Sequence, residues 1–96
     1  MVTVSWIPGR LTLAGDIGTV SRDAGLAAAV EALRLAEGEL LIDCSRVTSI
    51  DSGGVAFLVG LAGFAGERGI RAHLVDAPRH VRSQLRRAGA DSMFVW

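Results

Sequence analysis

The sequence has no lysine and no tyrosine. Its ten basic residues are all arginines, balanced by ten acids to a formal net charge of zero. Any mechanism that needs a lysine is excluded, and no bulk charge draws in nucleic acid or an anionic membrane. Cys44 is the single cysteine. No internal disulfide can form, and a reducing, cytoplasmic setting is expected. The opening segment MVTVSWIPGR lacks a basic stretch followed by an apolar one, so no secretory leader is expected. Long apolar runs are missing too. The fourteen uncharged residues 53–66 are too few and too rich in glycine to cross a bilayer, so no membrane insertion is expected.

Half of the 96 residues are hydrophobic. That composition excludes disorder, and the length allows one small domain over residues 1–96 with a modest core. Val2 to Ile7 alternates apolar and polar residues, Pro8-Gly9 has the chemistry of a type II turn, and Arg10 to Ala14 alternates again. These read as an N-terminal hairpin with one face in water, which argues for helices on one side of the sheet only.

Gly15 to Val20 reads as a loop, and residues from Ser21 or Arg22 to about Ala36 as a helix. Leu26, Ala29, Val30, Leu33 and Ala36 form its apolar stripe, with Gly38 as its stop. Leu40-Leu41-Ile42 reads as a short central strand, left through a loop at Asp43 to Arg46. A second helix is expected from Ser52 to Arg68, capped by Asp51 or Ser52 and closed by Gly69. Arg71 to Val75 reads as a strand. Pro78 opens a third helix with Val81, Leu85 and Ala88 on its buried stripe, and the apolar tail Met93 to Trp96 should dock on the body. The expected fold is α/β, a small mixed sheet with helices on one face, in the order β-β-α-β-α-β-α.

The segment Ser49-Ile50-Asp51-Ser52-Gly53-Gly54-Val55 places a hydroxyl at the mouth of the uncharged helix. A helix start presents unpaired N–H groups and partial positive charge, which favour a phosphate. The same residues also serve simply as a helix cap. Along the helix, Val55, Leu58, Val59 and Ala62 make one apolar stripe, and Phe57, Leu61 and Phe64 another. The second stripe is covered either by a neighbouring helix or by a partner, and a homodimer through this helix is one such pairing. Gly60, Gly63 and Gly66 each cost about 1 kcal/mol relative to alanine, which points to close approach by another element.

No catalytic set emerges. His73 and His80 have no companions at metal-ligand spacing, there is no phosphate-cradling glycine loop after a strand, and Ser52 has no evident histidine. No metal, no cofactor and no enzymatic activity are expected. Asp43 ends a strand as a receiver aspartate would, but the acidic pair and the lysine of a receiver are missing. Cys44 reads as a packed small hydrophobe. The last helix carries Arg79, His80, Arg82, Arg86 and Arg87, yet lacks interleaved aromatics, so direct nucleic-acid binding is not expected.

The stretch LLIDCSRVTSIDSGGVAFL resembles the STAS domain family, named for sulphate transporters and anti-sigma factor antagonists. The family pattern is an apolar strand ending in Asp, a short loop, and Asp-Ser-Ser-Gly opening a helix. LTLAGDI resembles its second strand and following turn, and DAPRHVRSQLRRAGADSMF its last helix and tail. The resemblance implies a non-catalytic protein-binding switch. In stand-alone bacterial members the serine after Asp is phosphorylated by an anti-sigma kinase, and Ser52 matches it. The implied partner surface is Asp16, Gly18, Thr19, Asp51, Ser52, Gly53, Gly54, Val55 and Phe57. Two positions depart from the pattern: Gly53 replaces a frequent second Ser, and Gly18 a frequent acid. The Asp-Ser-Gly-Gly variant also resembles the small STAS subunit of bacterial phospholipid-transport ABC complexes. That likeness implies, as the alternative, a subunit docked on an ABC transporter ATPase.

Overall fold

The computed structural model describes residues 2–18 and 22–96, with side chains described for 3–18 and 27–96. Strands β1 (Val2–Ile7) and β2 (Arg10–Ile17) form the expected hairpin, in register from Val2 opposite Gly15 to Ile7 opposite Arg10. Gly9 takes a positive φ of 76°, as the third position of a Pro-Gly type II turn requires. Helix α1 (Arg22–Arg34) follows, then β3 (Glu39–Ile50), α2 (Ser52–Glu67), β4 (Arg71–Val75) and α3 (Arg79–Arg87). The strand order is β1-β2-β3-β4, with the first pair antiparallel and the other two parallel. This is the mixed sheet and the β-β-α-β-α-β-α order expected from the sequence.

Helix α1 stops at Arg34, short of the expected Ala36, and two strand boundaries also differ from expectation. Gly15 to Ile17 continues β2, and Asp43 to Arg46 continues β3 into a twelve-residue strand. The cause is irregular pairing. Thr12 faces Asp43 but Ala14 faces Arg46, and Gly15 faces Val47 but Asp16 faces Ser49. Each shift leaves one extra residue on β3, as a β-bulge does. Gly15 supplies the bend, at φ 90°. The buried positions of β3 therefore run Leu40, Ile42, Cys44, Val47 rather than strictly every second residue.

One face of the sheet buries Leu11, Leu13, Leu40, Ile42, Cys44, Ala72 and Leu74. The opposite face carries polar pairs: Arg10 donates to Asp43 at 3.0 Å, and His73 Nε2 lies 3.1 Å from a Glu39 oxygen. The helices stack on the apolar face. Ala29, Ala32 and Leu33 of α1, Leu58, Leu61 and Ala65 of α2, and Val81 and Leu85 of α3 join one core. Val30 and Ala88, expected inside, face outward, and Ala90 is buried beyond the end of α3. The side chain of Leu26 lies outside the described residues. The tail docks as expected: Phe94 is buried, and Val95 pairs along β4 through Leu74 N–H to Val95 O and Val95 N–H to Ala72 O.

Burial surrounds the Cys44 thiol with apolar atoms and, with the nearby Asp43 charge, pushes its pKa up to about 12. The reactive thiolate is suppressed, in keeping with a packing role.

Candidate functional site

The site forms where β2 and β3 end side by side and α2 begins. Ile17 faces Ile50 in the parallel pair, and the Asp51 N–H donates to the Ile17 carbonyl at 3.2 Å. Asp51 then caps α2. Its backbone is extended, at φ −112° and ψ −174°, and its Oδ1 accepts the Gly54 N–H at 3.0 Å. Between the two cap residues left open by the sequence, the structure selects Asp51. Ser52 becomes the first helical residue, exposed, with Asp51 rather than its own hydroxyl making the cap bond.

Gly54 is the pivot of this arrangement. A Cβ built there would lie 2.4 Å from the Ile17 carbonyl oxygen and 2.8 Å from Ile50 Cγ1. No side chain fits. The missing Cβ lets the first turn of α2 settle directly on the strand ends, and that contact aims Ser52 outward. Gly18 does similar work from the other side: a Cβ there would lie 2.8 Å from Asp51 Oδ2. The loop after β2 is thereby drawn against the helix cap.

Asp16 stands at the same end of the sheet. Its Oδ1 accepts Thr48 Oγ1 at 2.7 Å and Ser49 Oγ at 2.8 Å. The hydroxyls of Thr48 and then Ser49 hold its carboxyl below the usual carboxylate range. It is an exposed negative charge, anchored by these two hydroxyls.

Among the residues expected to meet a partner, Asp16, Asp51 and Ser52 are exposed, and Gly18 and Gly53 half-buried. Three are placed differently. Gly54 is buried under Ile17 and Ile50, while Val55 and Phe57 turn into the core. Their positions follow from the helical period: the residues that pack α2 onto the sheet and α1 cannot also face out. Thr19 lies outside the described residues. The sequence reading missed Ile17, whose carbonyl receives Asp51 and whose bulk forbids a side chain at residue 54. It also missed Thr48 and Ser49 as the anchors of Asp16. Two adjacent hydroxyl residues just before the helix cap were the available signal.

The second apolar stripe of α2 is largely covered from within. Phe57 and Leu61 meet Ala29 and Leu33 of α1 around a cavity of about 280 Å³, leaving Phe64 37% exposed at its end under the Arg68 guanidinium. Gly60, Gly63 and Gly66 have no atom within 4 Å of where a Cβ would stand. The close approach expected at these glycines does not occur among the described residues, because all three face away from the sheet.

Fold and site together define a small one-sided α/β domain that displays a serine at a helix tip. The family profile described as "Mlab, STAS domain" matches residues 3–95, and the chain belongs to this STAS-domain family. No curated protein matches it. Among solved structures it is similar to an anti-sigma factor antagonist from Mycobacterium paratuberculosis, with TM-score 0.74 and 22% identity over 98% of this chain and 81% of that one. It is also similar to the anti-sigma factor antagonist SpoIIAA in its unphosphorylated form. That match has TM-score 0.69 and 13% identity, covering 90% of this chain and 82% of that one. Both likenesses are of fold. No described helix is long and apolar enough to cross a membrane.

Proposed function

We propose that the chain is an anti-sigma factor antagonist, a cytoplasmic protein-binding switch released by phosphorylation of Ser52. One observation carries the reading: Ser52 stands exposed at the first position of α2, beside the Asp51 cap and near the end of β2 that carries Asp16. The chain itself performs no chemistry. An anti-sigma factor that is also a serine kinase docks over this end of the sheet and transfers a phosphoryl group from ATP to Ser52 Oγ. The product carries about two added negative charges at a place already bearing Asp51. The start of α2 tolerates them, because its N–H groups and dipole favour an anion. A partner surface that met a neutral hydroxyl is expelled, and the sigma factor is captured again.

A second reading has its own support. The matching profile carries the description "Mlab", and the Asp-Ser-Gly-Gly variant accords with a STAS subunit seated on the ATPase of a phospholipid-transport ABC complex. There Ser52 is a cap-side contact residue and stays unmodified.

The two readings separate by intact mass after incubation with the cell's anti-sigma kinases and ATP. The first expects one phosphate, mapped to Ser52 and absent from Ser52→Ala, and weaker anti-sigma binding by Ser52→Asp. Absence of any modification together with co-purification of an ABC ATPase establishes the second.

A further inference from the structure

The two edges of the sheet are treated differently by the chain. The β4 edge is occupied by Val95 of the tail, which pairs beside His73. Among the described residues, β1 pairs with β2 alone, and its other edge is open. Exposed edges usually carry a charge, a proline, a bulge or a very short strand, each of which deters further pairing. The six residues of β1, VTVSWI, contain no charge and no proline, and their pairing with β2 is free of register shifts. The lysine that most often guards such an edge does not occur anywhere in this protein. Trp6 and Ile7 stand there 39% and 59% exposed.

We propose that β1 is a homodimerisation edge, pairing antiparallel with β1 of a second copy to make one continuous sheet. The two-residue turn makes Ile7 and Arg10 a hydrogen-bonded pair, as it does Ser5 with Thr12 and Thr3 with Ala14. Val4 and Trp6 therefore turn their N–H and C=O groups away from β2. With the two-fold axis at Val4, Val4 lies opposite Val4 of the second copy and Trp6 opposite its Val2. Those are the residues whose backbone groups point outward, so every outward group finds a partner. Thr3 falls opposite Ser5 of the second copy, a hydroxyl pairing that cross-strand neighbours favour.

The sequence around Val4 is symmetric in type, apolar-hydroxyl-apolar-hydroxyl-apolar, and this selects a second copy over a foreign strand. The zero net charge raises no long-range barrier between copies. Because the β4 edge is already filled by Val95, the assembly closes at two.

The test is solution mass against concentration for the whole chain, with amide exchange at Val4 and Trp6. A shift with rising concentration from 10.1 kDa to twice that value is expected, with the Val4 and Trp6 amides becoming protected as the dimer fills. Trp6→Arg sets a charge at the joint, and Trp6→Pro removes an outward N–H without touching a hairpin bond. Each should remain at 10.1 kDa with an unchanged far-ultraviolet circular dichroism spectrum. If Trp6→Pro does not fold, Trp6→Arg decides. A wild-type chain that stays monomeric at all concentrations overturns the proposal. So does an assembly larger than two, or a dimer that survives Trp6→Arg unchanged.

Discussion

Helix α2 uses glycine in two opposite ways. In its first turn, Gly54 is buried where any Cβ would strike the Ile17 carbonyl oxygen. In its middle, Gly60 and Gly63 are exposed with nothing within 4 Å. One residue type thus marks the most constrained point of the helix and its least constrained ones. The cramped end carries Ser52, while the loose middle carries no chemistry. Sequence alone cannot separate the two, because the obstacle at Gly54 comes from a strand 37 positions earlier.

The sharpest way to break this comparison is Gly54→Ala. The added Cβ would strike the Ile17 carbonyl oxygen, a backbone atom that cannot rotate away, so the first turn must lift off the strand ends. Destabilisation of about 2–4 kcal/mol is expected, seen as a lower urea midpoint with little change in slope. Near-wild-type stability would show that the first turn has room to move. Asp51→Ala comes next. It removes the bond to the Gly54 N–H and should cost about 1 kcal/mol, with Asp51→Ser recovering most of it. Ser52→Ala should leave the midpoint almost where it is, which separates the capping residue from its exposed neighbour.

The elements most legible in the sequence were those with regular periods and strong stop signals. The Pro8-Gly9 hairpin, the start of α2 next to Asp51 and the ends of α2 and α3 before Gly69 and Gly89 all follow from local chemistry. The long β3 was not legible, because its two extra residues break the alternation after Cys44 and make Asp43 to Arg46 resemble a loop. In the site, the sequence showed that Asp51 or Ser52 caps α2, and the structure selected Asp51 and left Ser52 exposed. Gly54, Val55 and Phe57 were not assigned to the interior, because which side of α2 faces the sheet depends on how Ile17 and α1 meet it. The role of Thr48 and Ser49 required knowing that β2 and β3 end together.

The middle of α2 gives the converse test, of smaller size. Gly60→Ala and Gly63→Ala add a methyl group into open space and remove backbone freedom from the unfolded chain. Each should stabilise by about 0.5–1 kcal/mol, read as a raised urea midpoint. A loss of stability in the isolated chain would mean that another part of it packs there. A gain in stability accompanied by loss of partner binding would instead make these glycines part of a docking surface.

Acid separates the first turn of α2 from its middle by the smallest effect. Asp16 ties the end of β2 to Thr48 and Ser49, just ahead of the first turn, and hydrogen bonds from Thr48 and then Ser49 lower its pKa from the ordinary 3.8. A carboxylate with a depressed folded value stabilises the fold above its unfolded value and loses that contribution as pH falls through the folded one. The Asp16 contribution is therefore complete at neutral pH and fades below about pH 4. Amide exchange at Asp51 and Gly54 should quicken over that range relative to Leu58 and Leu61, whose surroundings carry no such group. Asp16→Asn should abolish most of this difference between the first turn and the middle. If exchange at both places accelerates in parallel with and without Asp16, its carboxylate does not steady the first turn.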